Sequence, residues 1–299
     1  MPGGGVRALG RGWLGVNLFL LLALGAIWGS SFLFIKIVVT EVSVLTFVAW
    51  RLVLTSVVLW LFLLLRRETI PRSRLVWASF AVMGLLGGLL PYALISWGEV
   101  HISSGLAALL QATMPLFTVV LAHFLSPDER MTPLKISGVI VGFAGVGLLL
   151  LPDLRQGLHA TLLGQLAVVL ASLCYAGTSV FARRCLRGQS PLASTAGQMT
   201  TGALVALPLA MMLEQPFQIS PSLPALASWL ALALLGTGVA YVLYYTLLGR
   251  TSATFASMVT YLVPVNGLIL GALVLGEPLS GNIVLSLALI LVSLFLVSR

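Results

Sequence analysis

Charge is what this sequence lacks. Only 8% of its 299 residues are Asp, Glu, Lys or Arg, whereas a soluble domain needs about a quarter to keep its surface hydrated. A water-facing exterior is therefore excluded. Acid is the scarcer sign, with 8 Asp and Glu against 16 Lys and Arg. None of the acids falls in the middle third of an apolar run, which argues against a carboxylate proton relay. Facilitated diffusion or exchange is the default expectation, with Glu99 and His101 leaving coupling open. Cysteine is limited to Cys174 and Cys185, too far apart along one predicted helix to form a disulfide. They complete no metal set, so no metal and no cofactor are expected. There is no phosphate-cradling Gly-x-x-x-x-Gly-Lys-Ser/Thr run, which excludes direct ATP use. Nothing supplies a catalytic centre at membrane depth, so an intramembrane enzyme is the weaker alternative.

What is abundant is apolar length. Hydrophobic residues make up 59% of the chain, and the mean hydropathy is +1.10. A membrane span takes about 20 such residues. The runs 14–38, 44–65, 75–97, 103–125, 133–151, 161–182, 192–213, 225–248, 252–275 and 280–298 each suffice, bounded by charges or turn formers. They predict an all-α membrane protein of ten transmembrane helices, with lipids as its surroundings. The net charge of +8 is spread singly or in short groups beside these runs, which suits topology signals and not nucleic acid. With the N-terminus inside, 13 of the 16 basic residues fall in inner connectors and tails. Both termini are therefore predicted cytoplasmic. Arg7 and Arg11 before an apolar stretch imitate a secretory signal, but the repeat argues that the first helix is kept.

That repeat appears on sliding the chain by about 147–149 residues. Trp28 then falls on Tyr175, Ser31 on Thr178, Lys36 on Arg183, Tyr92 on Tyr241, Pro115 on Pro264 and Glu129 on Glu277. The halves are 1–151 and 152–299. Five helices per half is an odd number, so the second copy enters the bilayer inverted. Such a pair predicts a central cavity near mid-depth that each side reaches in turn.

Several segments together carry a family likeness: Trp28-Gly29-Ser30-Ser31-Phe32 with Lys36, Trp50-Arg51, and the small-residue runs ending at Pro115 then Glu129 and at Pro264 then Glu277. The chain resembles the drug/metabolite transporter superfamily in its ten-helix EamA-type branch, over residues 14–298, and is similar to the YddG-type amino-acid exporters. One residue more separates Pro115 from Glu129 than Pro264 from Glu277. The resemblance implies an inner-membrane carrier that exports a small-molecule substrate such as an amino acid. Multidrug or amine efflux and nucleotide-sugar exchange remain alternatives, and a monomer is compatible with all of them.

Candidate residues follow from chemistry. Trp28, Tyr92, Tyr175, Tyr241, Tyr245 and Tyr261 sit inside spans, where aromatic walls with a few polar tips suit a neutral or zwitterionic solute; interfacial packing is the alternative. Ser31, Gln111 and Asn266 add hydrogen-bonding groups. Lys36 and Arg51 are cations inside apolar helices, expected at the cavity mouth, with snorkelling or pairing to Glu41 or Glu99 as the alternative. Pro115 and Pro264 remove helical hydrogen bonds and are the expected helix breaks. Gly138, Gly142 and Gly145 predict close helix packing. Glu129 and Glu277 are expected to serve helix N-termini.

Overall fold

A computed structural model describes residues 11–125, 130–186, 188–251 and 253–298. Their apolar runs fold as α1 (Arg11–Val39), α2 (Val44–Leu65), α3 (Arg74–His101), α4 (Ser104–Leu125), α5 (Pro133–Leu154), α6 (Ala160–Cys185), α7 (Pro191–Leu213), α8 (223–250), α9 (253–275) and α10 (Gly281–Val297). Nine are long and apolar enough to cross a bilayer, while α10 has 17 residues, about 26 Å at the helical rise. Arg7, Glu129, Arg187 and Arg299 lie outside the described residues. The starts are written in the sequence. Ser103, Thr132, Ser190, Ser222 and Ser280 each accept a backbone N–H three residues on, and Pro133 and Pro191 stand where a missing N–H costs nothing.

Short loops make successive helices antiparallel. One end of the bundle therefore gathers the α1–α2, α3–α4, α5–α6, α7–α8 and α9–α10 connections, and this is the end predicted to lie outside. The principal helix pairings are α1 with α8 and α9, α6 with α3 and α4, α2 with α7 and α8, α7 with α3, α4 with α9, and α5 with α10. Exchanging each helix for the one five places along leaves that set of pairings unchanged. Small residues allow the approach: a Cβ at Gly142 would sit 2.3 Å from Leu116 Cδ1 and 2.4 Å from Ser293 Oγ, and one at Gly29 would sit 2.5 Å from Asn266 Cβ.

Two spans are interrupted at matching places. Leu85–Leu89 in α3 and Leu234–Val239 in α8 are π-helical turns, which free backbone carbonyls. Each freed group finds a donor from another helix: Gln198 Nε2 donates to Gly87 O at 2.7 Å, and Trp28 Nε1 donates to Gly236 O at 3.2 Å. In α4 the helix breaks at Ala112–Thr113, just before Pro115. In α9 it breaks at Met258 and then runs straight through Pro264. So Pro115 sits beside a break, but Pro264, itself buried, does not, and its helix continues through it.

Candidate functional site

Four of the expected residues meet at the centre. Arg51 of α2 is buried, and its guanidinium carbon lies 4.0 Å from the centroid of the Tyr92 ring in α3. Tyr175 of α6 lies within electrostatic reach of Tyr92, Arg51 and Tyr241 of α8. Two helices of each half thus converge there. Gln111 stands at the α4 break, where its side-chain oxygen accepts a 3.2 Å hydrogen bond from Ser172 of α6. Arg51 is not at a surface mouth, as the sequence suggested, but inside the bundle, because α7 and α3 pack around that part of α2.

The other candidates are placed differently. Trp28 stacks toward Tyr244, with ring centroids 5.7 Å apart, while its indole N–H serves the π turn of α8. Ser31 bonds to Ile27 O of its own helix and faces Gly236. Asn266 packs on Gly29. Tyr261 donates to Ser298 Oγ at the far end of α10, away from the central group. The Tyr245 side chain lies outside the described residues.

Lys36 has a definite structural task. Its ammonium donates to the carbonyls of Glu99 and Ile102, the orphan acceptors at the end of α3. It pairs with neither the Glu41 nor the Glu99 carboxylate. The acids cap helices of other segments. Glu277 accepts from the N–H groups of Ser104 and Gly105 at 2.7 and 2.9 Å, so it serves α4 and not the α10 that follows it, whose cap is Ser280. Glu214 caps α2 through Ser43, Leu45 and Thr46, Glu41 caps α8 through Ser222, and Glu68 binds Ser190 at the start of α7. Burial pushes the Glu214 carboxyl up, but hydrogen bonds from Ser43 and Thr46 outweigh it and hold the group below its ordinary value. The Ser222 hydroxyl and N–H likewise hold Glu41 low. Glu99 is fully buried, and neither of its carboxyl oxygens has a hydrogen-bond partner.

Two lateral cavities flank the centre. One of about 260 Å³ lies between α3, α4 and α6 and is lined by Val82, Met83, Leu86, Thr178 and Phe181. A smaller one of about 80 Å³ lies between α8 and α1, lined by Ala231, Leu232, Leu235, Ser31 and Phe34. These lining residues correspond one to one at the repeat offset, and the two cavities lie toward opposite ends of the bundle.

The symmetry fails at one place. At the end carrying the α1–α2 loop, α1 packs against the last part of α3 and the first part of α4. The main core includes Val38, Phe47, Ile102, Ala107, Ala206 and Trp229 at that end and continues through Leu59 and Leu63 of α2 to Leu192 and Ala193 at the start of α7. The counterpart at the other end would pack α6 against the last part of α8 and the first part of α9. Among the described residues no pairing of that extent exists. Instead Leu21, Leu24, Leu247, Ala256 and Val259 form one cluster, while Phe80, Met83 and Leu186 form another.

A ten-helix lipid-embedded bundle of paired halves, with a polar group buried at its centre, is the architecture of a multi-pass membrane transporter. The EamA-like transporter family model matches the chain twice, at residues 15–151 and 162–299; the chain belongs to that family. It is 28% identical over 276 residues to the uncharacterized transporter YoaV of Bacillus subtilis, covering 92% of this chain and 94% of that one. The inner membrane transporter YedA of Escherichia coli K12 is 29% identical over 282 residues, covering 93% and 89%. A probable terminal-alkyne amino-acid exporter of Streptantibioticus cattleyicolor is 32% identical over 209 residues, covering 69% and 68%. A solved crystal structure shares the fold at TM-score 0.63 and 20% identity, covering 95% of this chain and 97% of that one. The chain is a transporter of a small molecule and not an enzyme.

Proposed function

We propose that this protein exports neutral or aromatic amino acids across the inner membrane by alternating access, as a secondary transporter of two inverted five-helix halves. The reading rests chiefly on the broken symmetry of the gates. The helix pairings are invariant under exchange of the halves, except that α1 packs on the end of α3 and the start of α4 while, among the described residues, no pairing of that extent joins α6 to α8 and α9 at the other end; we read the first end as closed and the second as parted. A two-fold structure caught in one of two related states has that signature. Arg51, Tyr92, Tyr175 and Tyr241 then lie together on the path between the two ends. Trp28, Ser31, Gln111, Tyr245, Tyr261 and Asn266 complete the proposed lining. By the distribution of basic residues, the parted end is cytoplasmic, as export requires for loading.

The amino-acid exporter from Streptantibioticus supports the solute class by likeness. The buried cation at Arg51 counts against the rival reading, efflux of amines, because it repels them. The test is counterflow in reconstituted vesicles. Vesicles preloaded with unlabelled neutral amino acids should accumulate labelled leucine or phenylalanine with saturation. If a broad solute panel gives neither saturation nor counterflow, the carrier reading fails.

A further inference from the structure

A guanidinium does not lose its proton inside a protein, so Arg51 carries a full positive charge into the bundle with only 6% of its surface exposed. The Tyr92 ring beneath it returns only part of the lost hydration. No carboxylate stands within ion-pair distance of Arg51 among the described residues. Its Nε is sealed from solvent without a hydrogen-bond partner. Glu99 reaches it only electrostatically. A buried cation within a span is retained when something completes it. The planar fork of Arg51, steadied on Tyr92 and within electrostatic reach of Tyr175, matches the two oxygens of a carboxylate.

We infer that Arg51 receives the carboxylate of the transported solute, whose apolar remainder lies against Tyr92, Tyr175 and Tyr241; this rests on the transport reading above. The substrate class is then an amphipathic carboxylic acid, amino acids included. Amines and amides of the same shape are excluded, because they leave the cation unanswered.

The test uses three probes of one shape in counterflow: L-phenylalanine, L-phenylalaninamide and phenethylamine. Wild-type vesicles should take up phenylalanine well above the other two. Arg51→Gln should raise the KM for phenylalanine about thirtyfold or more, the usual effect of removing one partner of a buried charge pair, while the amide is taken up no worse. Arg51→Lys keeps the charge without the flat fork and should retain a reduced preference for the acid. It also serves if the Gln variant does not fold. A role for Arg51 as mere counter-charge to Glu99 makes its own prediction: Arg51→Gln with Glu99→Gln would restore phenylalanine uptake. That restoration overturns the inference, as does equal uptake of all three probes unaltered by Arg51→Gln. If none of the three is carried while another solute shows counterflow, the carboxylate assignment falls and the transport reading stands.

Discussion

Four carboxylates close helix ends that belong to other segments of the chain. Glu41, Glu68, Glu214 and Glu277 each answer groups at the N-terminus of a distant helix, where the dipole favours an anion. Glu214→Ala should therefore lower stability by about 1 kcal/mol, read as the melting temperature in detergent. The pH dependence has a definite sign. Glu41 and Glu214 are held below the ordinary 4.5, so their contribution is present above that value and lost as pH falls through their folded values. Melting temperature should drop on acidification below about pH 4.5, and less steeply in a Glu41→Gln, Glu214→Gln variant. Steric residues make the second prediction at this scale. Gly142→Ala would force a methyl into Leu116 and Ser293 and should cost about 1–3 kcal/mol. Gly147→Ala, which meets nothing within 4 Å, should cost nothing measurable. The glycine face of α5 was legible because small residues recur at helical spacing. The partner of Glu277 was not, since a cap on α4 supplied from beyond α9 leaves no local pattern.

At the scale of the element, the π turns of α3 and α8 carry the argument. Both contain paired glycines, Gly87-Gly88 and Gly236-Thr237-Gly238, and these were the available signal. Glycine alone does not announce a π turn, because the same residue serves equally in close packing. What makes the turn viable is the distant donor: Gln198 for Gly87 and Trp28 for Gly236. Gln198→Leu should strand the Gly87 carbonyl and cost about 1–3 kcal/mol, read by melting temperature. Gln198→Met should do no better, since a thioether cannot donate. Nine of the ten helix starts lie within two residues of the edges of the apolar runs, and α1 begins three residues before its run. The break in α9 was not legible, because Pro264 drew attention to a point six residues beyond it and the bilayer-spanning helix tolerates that proline.

At the scale of the molecule, the offset of 147–149 residues in the sequence and the exchange-invariant helix pairings describe the same repeat. Composition made the ten apolar runs plain, since lipid leaves helices as the only way to satisfy the backbone. The state of the gates was beyond the sequence. Lys36 of α1 holds the end of α3 at one end, where α1 also packs on α4, while among the described residues no pairing of that extent joins α6 to the end of α8 and the start of α9 at the other. Closed and open ends should exchange roles during transport. The most direct test is a pair of spin-label distances in a cysteine-free background, Thr40 to Ser103 across the packed end and Arg184 to Thr251 across the parted end. Alternating access predicts that a transported amino acid redistributes both pairs in opposite senses, the first gaining long distances as the second gains short ones. Distances that stay fixed at both ends, or lengthen together, would contradict it.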